Sequence, residues 1–111
     1  MSAQLIAVNL AGPLPVVATF QAPMDGPTAF LFSGSAWSQS SNMLIGVQVL
    51  LDGVVIGTSQ LFSNGTGEHR ALPAQVMVAD LQPGEHKIVF QALNGATITD
   101  SNDSFSLALL M

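Results

Sequence analysis

The apolar residues of this chain come in short runs separated by turn-forming residues, and this spacing constrains the fold more than any other feature. Gly, Pro, Asn and Asp interrupt the runs roughly every eight to twelve residues, and no long stretch shows the 3.6-residue period of an amphipathic helix. The pattern predicts an all-β, antiparallel two-sheet sandwich. The predicted strands are residues 4–10, 14–22, 28–37, 43–51, 54–61, 74–81, 86–93, 96–100 and 105–110.

The pair Asp52-Gly53 lies between two apolar runs and marks the clearest hairpin. Asp-Gly supplies the positive φ angles of a two-residue type I′ turn. This turn predicts that residue 51 pairs with 54, 49 with 56 and 47 with 58. One face is then predicted to be core, and it consists of Ile45, Val47, Val49, Leu51, Val54 and Ile56. The other face is predicted to be solvated, and it contains Gly46, Gln48, Gly57 and Ser59.

The low charge of the chain indicates that much of its surface is apolar or neutral. The 111 residues form a single predicted domain, 1–111, but only 8% of them are charged, whereas soluble domains usually carry about 25%. Large exposed apolar patches mark interfaces. We therefore expect the chain to act as part of an oligomer.

Three predicted strands, 28–37, 74–81 and 105–110, are apolar on both faces, which also favours an oligomer. A strand of an antiparallel sandwich needs only one buried face. In the last strand, the bulkier set Phe105, Leu107 and Leu109 is predicted to fill the core. Ala108 and Leu110 are then predicted to face another subunit.

Several classes of partner conflict with the composition. A net charge of −5 with only two basic residues leaves no patch for nucleic acid or for an anionic membrane surface. No window is long and apolar enough for membrane insertion, and the first residues lack the features of a secretory signal, so we expect a mature chain or another export route. The compartment stays open, and an extracellular or particle-surface role is compatible with the sequence.

No set of residues in the sequence suggests catalysis. The chain has no cysteine and only two histidines, His69 in a polar loop and His86 at the start of a strand. A nucleophile with its base and orienting group has no motif here. We expect a non-enzymatic protein without a cofactor and with both histidines solvated, and the spacing of the two histidines gives no support to a shared metal.

Two polar segments are candidate binding sites. Asp100, Asn102 and Asp103 offer oxygen ligands within one short loop, as a calcium site requires, although a plain turn is the alternative. Trp37 precedes a run of amides and hydroxyls and could stack on a sugar, although a lone tryptophan also commonly caps a core. The candidate ligand-binding residues are Trp37, Asn42, His69 and Arg70.

Three segments, in order, resemble the complement globular-head family of tumour-necrosis-factor-like jelly rolls. Residues 20–26 with 30–33 are similar to its Phe-x-x-Pro-x-x-Gly and aromatic-x-Phe pattern. Residues 76–92 are similar to its strand, Gly-Asp/Glu turn and strand, and residues 102–110 resemble its closing strand. The resemblance covers residues 19–110, but the chain has no tyrosine, and Pro27-Thr28 looks like an insertion.

The resemblance implies a jelly roll of about nine to ten strands that assembles as a homotrimer through its inner sheet. The implied interface residues are Leu31, Met77, Ala108 and Leu110. Some members of this family bind calcium at loop carboxylates. The predicted function is a non-enzymatic, homotrimeric module for ligand binding or assembly, with carbohydrate or protein as the ligand. The alternative is a monomeric immunoglobulin-like or carbohydrate-binding module, lectin or adhesin, of a larger surface assembly.

Overall fold

A computed structural model describes the backbone of residues 4–110 and the side chains of residues 8–110. Within this range it contains strands and loops and no helix. The strands are β1 (Gln4–Ala11), β2 (Val16–Ala22), β3 (Gly26–Ala36), β4 (Met43–Leu51), β5 (Val54–Ser63), β6 (Arg70–Ala71), β7 (Gln75–Leu81), β8 (Gly84–Ala92) and β9 (Ser104–Leu110). Among these residues there is accordingly no helix that could cross a membrane.

The strands form two antiparallel sheets in jelly-roll order. One sheet runs β1-β9-β3, with β6 and β7 both pairing along β3, and the other runs β2-β8-β4-β5. Several chain connections therefore cross between the sheets, as in the double Greek key of a jelly roll. The prediction of an all-β jelly-roll sandwich is confirmed.

Aromatic side chains from both sheets meet in the core. Phe32 of β3 and Phe105 of β9 come from one sheet, and Phe90 of β8 comes from the other. The ring centroid of Phe90 lies 5.5 Å from that of Phe32 and 6.1 Å from that of Phe105, and all three side chains are fully buried. Burying each large apolar side chain stabilises the fold by about 1.5–3 kcal/mol. Leu107 and Leu109 are equally buried, so the predicted core face of the last strand is confirmed.

The hairpin at Asp52 has the predicted turn but a different register. Asp52 and Gly53 have φ angles of 51° and 86°, as a type I′ turn requires. Residues 51 and 54 pair as expected, but Val49 opposes Gly57 and residue 47 opposes Ser59, because a bulge places Ile56 outside the ladder.

The bulge inverts the predicted faces of β5. Val54 is exposed rather than buried, and Ile56 is only half-buried. Ser59, predicted to be solvated, is buried, and its hydroxyl donates to the Pro73 carbonyl at 2.5 Å. A one-residue shift in register moves every later side chain to the opposite face.

The predicted strand 96–100 is absent from the described part of the chain. The Asn94 side chain instead accepts hydrogen bonds from the backbone of Ala96 and Thr97 and from the Thr97 hydroxyl, which folds the segment into a turn. Only Ile98 forms a bridge, to Trp37. The short strand β6 was not predicted, because two residues are too few to show a period.

Strand β7 directs Met77, one of the implied interface residues, toward the core. Met77 is buried between the sheets against Gly57, so its assignment to an intersubunit surface is wrong. Val76 and Val78 lie on the outward face and are 54% and 64% exposed. The strand alternates as expected, but the long methionine fills the space left by the glycine, and the valines remain outside.

Candidate functional site

The candidate site lies at one end of the sandwich, which we call the loop end. Here β3 and β5 finish, β9 begins, and the loops 37–42, 64–69 and 93–103 converge. The structure brings together residues that the sequence placed in separate candidate sites: Trp37 from the first loop, His69 from the second, and Asp100 and Asp103 from the third. Ligand atoms of His69, Asp100 and Asp103 lie within 4.8 Å of one another.

Asp103 is the buried anchor of this cluster. Its side chain is fully buried, and Oδ1 accepts hydrogen bonds from the Ser35 hydroxyl at 2.6 Å and from His69 Nδ1 at 2.8 Å. Its Oδ2 accepts the backbone N–H of Asp100 at 2.9 Å. A buried carboxylate is tolerated only when donors compensate its lost hydration. Three donors do so here, and they fix the positions of β3, the His69 ring and the 100–103 turn together.

His69 extends from the buried carboxylate toward solvent. An ionised carboxylate only accepts hydrogen bonds, so Nδ1 of His69 must carry the proton that it donates to Asp103. The other ring nitrogen, Nε2, does not contact this carboxylate. Nε2 lies 3.6 Å from Asp100 Oδ2, and the two side chains are 38% and 41% exposed. The hydrogen bond to Asp103 raises the pKa of His69, and the charges of Asp103 and Asp100 add to this effect against partial desolvation.

Trp37 packs beside this histidine. The two ring centroids lie 5.7 Å apart, at an interplanar angle of 39°. The Trp37 backbone bonds both ways with Ile98, at 2.9 and 2.8 Å. The indole Nε1 is buried and has no hydrogen-bond partner among the described residues. An unpaired buried donor is unusual and is commonly satisfied by a water or a ligand.

In the described part of the chain, the other two predicted ligand-binding residues make no side-chain hydrogen bond or ion pair with this cluster. Asn42 is exposed at a φ of 59°, a left-handed conformation that asparagine tolerates, so its position has a backbone explanation. Arg70 is half-buried in β6, where it pairs with Ala36. Next to Trp37 in sequence, residues of the loops 37–42 and 93–99 and the first residue of β4 line an open pocket of about 270 Å³. It is lined by Ser38, Gln39, Ser40, Met43, Gly95, Ala96 and Ile98.

The loop carboxylates fit calcium poorly in this arrangement. Calcium takes six to eight oxygen ligands. Both oxygens of Asp103 already accept hydrogen bonds, Oδ1 of Asp100 accepts the Asn102 N–H at 2.8 Å, and an imidazole nitrogen faces the remaining oxygen. Asn102 itself is exposed. Two of the predicted ligands, Asp100 and Asp103, do come together with His69 in a group that could hold a metal, and calcium at this loop stays a prediction.

The Asp103–His69 pair resembles the base and orienting group of a hydrolase triad, but it lacks the nucleophile. A serine nucleophile would have to hydrogen-bond to Nε2. Among the described residues, Nε2 has no hydroxyl partner, and the serine in the cluster, Ser35, bonds to the carboxylate instead. The described residues therefore orient an imidazole and bring no hydroxyl to its Nε2.

His69 is exposed, as the sequence suggested, but both histidines are also held by aspartate side chains. His86 is only 13% exposed, and its two ring nitrogens lie 2.6 Å from Asp52 Oδ2 and 2.6 Å from the Gln82 carbonyl oxygen. The contacts of Asp103 with His69 and Ser35 were missed because these residues lie far apart in the chain. A buried aspartate beside a strand start has no local sequence signal.

Neither family models nor curated proteins match this sequence. Solved structures do match it at the level of the fold. Latent PorU from Porphyromonas gingivalis superposes with a TM-score of 0.62 at 10% identity over 98% of this chain, and this chain spans only 12% of PorU. A family 35 carbohydrate-binding module from Clostridium thermocellum gives 0.55 at 14% identity, covering 98% of this chain and 89% of the module.

The globular domain of zebrafish complement 1qA gives a TM-score of 0.52 at 14% identity, covering 84% of this chain and 66% of that one. The fold implied by the sequence resemblance is thus confirmed by an independent structural match. These structures define the chain as a jelly-roll domain of the architecture shared by complement globular heads and carbohydrate-binding modules. At such identities the likeness extends to the fold and no further.

Proposed function

We propose that this chain is a non-catalytic binding and assembly module that forms a homotrimer through the outer face of the β1-β9-β3-β7 sheet. The observation that carries the proposal is an apolar surface on that face, which we call the valine face. Val76 and Val78 are its exposed members, Ala29, Leu31 and Leu110 are half-buried, and Ala108 is buried among them.

The register of the sheet arranges the valine face in two rows across three strands. In one row, Leu31 opposes both Val76 and Ala108, and in the next, Ala29 opposes Val78 and Leu110. These rows carry no charge. Exposed apolar surface of this kind indicates an interface, because obligate interfaces resemble a domain core cut in half.

A polar row borders the valine face on the side of the loop end. Ser33 and Ser106 face each other there, with their hydroxyl oxygens 2.7 Å apart. At the other border, Asp80 is exposed and opposes Pro27. A hydrophobic centre with a polar rim is the usual anatomy of an interface. Leu31, Ala108 and Leu110 keep their proposed interface role, and Val76 and Val78 replace Met77.

The outer face of the second sheet is more mixed. It carries an apolar row in which Val89 opposes both Val17 and Leu50, and an exposed apolar pair in which Leu44 opposes Phe62. The next row is polar, since the Gln91 side-chain amide donates to the Gln48 side-chain oxygen at 2.9 Å. Val17 is 52% exposed, close to the 54% of Val76, and therefore provides a matched control position.

A paired substitution tests the assembly. We expect Val76→Asp to dissociate the trimer, because three carboxylates would be buried near one another around the axis, and desolvation and repulsion both oppose this. Val17→Asp should remain trimeric. Analytical ultracentrifugation of both variants and the parent measures this. A trimeric Val76→Asp variant, or loss of the trimer in Val17→Asp alone, would show that the valine face is not the interface.

The loop end is the proposed ligand site, for carbohydrate or protein. The Trp37 indole, its unpaired Nε1–H and the adjacent pocket support this proposal. A glycan array of the parent and Trp37→Ala tests carbohydrate as the ligand, with Phe62→Ala, an exposed aromatic of β5, as control. Retained binding by Trp37→Ala would contradict the site. A parent that is monomeric but binds glycans would favour the alternative, a monomeric carbohydrate-binding module.

A further inference from the structure

We propose that His69 Nε2 and Asp100 Oδ2 form an open binding site for a divalent transition metal of the zinc type, with Asp103 and Ser35 orienting the imidazole from behind. The site lies at the loop end, outside the valine face, so it does not depend on the trimer. It also differs from the predicted oxygen-only calcium site, because its central ligand is a nitrogen.

The two ligand atoms have the separation that one metal ion requires. Atoms held about 2.1 Å from one ion at a tetrahedral angle lie about 3.4 Å apart. Nε2 and Oδ2 are 3.6 Å apart. Neither atom has a hydrogen-bond partner among the described residues. An ion would therefore replace only the contact between these two atoms, and their side chains are exposed enough for one to enter from solvent.

The contacts behind His69 are those of a metal-bound histidine. Metal-ligating imidazoles usually donate the other ring N–H to a carboxylate, which fixes the tautomer and makes the free nitrogen a better ligand. Nδ1 of His69 bonds to Asp103 Oδ1, and the Ser35 hydroxyl bonds to the same oxygen. The carboxylate is fully buried and therefore positioned before any metal arrives.

The chemical types of the two ligand atoms also determine which metals the site favours. Imidazole suits zinc, copper and nickel, whereas calcium and magnesium prefer sites of oxygen alone. Two protein ligands leave the remaining coordination positions to water or to a bound ligand. The Trp37 indole neighbours this site, with its ring centroid 5.7 Å from that of His69.

The single tryptophan of the chain makes the site measurable. Because Trp37 packs on His69, Ni²⁺ bound at Nε2 should quench its fluorescence. We expect saturable quenching by NiCl₂ in the parent, reversed by excess ZnCl₂ and unaffected by excess CaCl₂. Quenching should persist in His86→Gln, which removes the other histidine, and should disappear in His69→Gln.

Asp100→Asn provides a second variant that preserves His69 and its buried partner. This substitution should weaken Ni²⁺ binding by at least about tenfold, because losing even an outer-shell contact weakens metal binding by about that factor. The proposal is overturned if the parent shows no saturable quenching below the concentration at which the metal precipitates. Quenching of a folded His69→Gln variant, or competition by calcium as strong as that by zinc, would overturn it as well.

Discussion

Gly53 illustrates how one residue fixes a local structure. It completes the type I′ turn at a φ of 86°, and a Cβ there would meet no neighbouring atom. Any penalty of substitution must therefore come from the backbone conformation alone, since β-branched residues resist positive φ.

We expect Gly53→Val to lower the free energy of unfolding by about 1–3 kcal/mol. Gly95 is the matched control, because a Cβ there also meets open space and its φ is not positive. Gly95→Val should change stability by less than about 0.5 kcal/mol. Urea denaturation measures both, and equal stabilities for the two variants would refute the turn assignment.

His86 joins two turns at the end opposite the loop end. Its ring nitrogens both face acceptors, the Asp52 carboxylate and the Gln82 carbonyl, so both contacts persist only while the ring is doubly protonated. The hydrogen bond to Asp52 and then that to Gln82 raise the pKa of His86. The hydrogen bond from His86 and then the Lys87 N–H lower the pKa of Asp52.

These shifts predict the pH dependence of stability. The raised pKa of His86 contributes stability that is fully present below about 6.5 and is lost as the pH rises through the folded-state pKa. The lowered pKa of Asp52 contributes stability that is present above 3.8 and is lost as the pH falls through its folded-state pKa. Melting temperatures of the parent and His86→Gln should therefore differ most in weakly acidic solution and converge in alkaline solution. A constant difference would contradict the contact.

At the scale of elements, the alternation of apolar and polar residues predicted most of the strands. It failed where the backbone of a strand is locally irregular. Phe30 and Phe32 are buried as the period-two pattern of β3 requires. The bulge at Ile56 could not be predicted, because the segment 54–56 is apolar in every position and fits either register. The site shows the same limit, since Ser35 and Asp103 meet across 68 residues of sequence. The sequence shows that the residues of the site are polar, but only tertiary packing brings them into contact.

The bulge itself can be tested through Ser59. In the observed register this hydroxyl is buried and bonds to Pro73, whereas in a regular hairpin it would be solvated. Ser59→Ala should therefore cost about 1 kcal/mol of unfolding free energy. Gln60→Ala, at the exposed neighbouring position, should be nearly neutral. If thermal unfolding did not distinguish the two variants, the register of β5 would be wrong.

At the scale of the whole molecule, the distribution of charge and apolar surface supports the assembly. The chain has nine charged residues, two basic and seven acidic, and in the isolated chain Val76 and Val78 of the uncharged valine face are more than half exposed. A monomer would leave this face in water, whereas a trimer would bury it on every subunit. Stability should then depend on protein concentration, because association favours the folded state.

The mass of the unmodified protein in solution tests this central claim most directly. Sedimentation equilibrium across a dilution series should give a species of three times the 11.5 kDa chain mass, with dissociation, if any, at the lowest concentrations. A single species of 11.5 kDa at every concentration would contradict the trimer and would show that the valine face does not bind another copy of the chain.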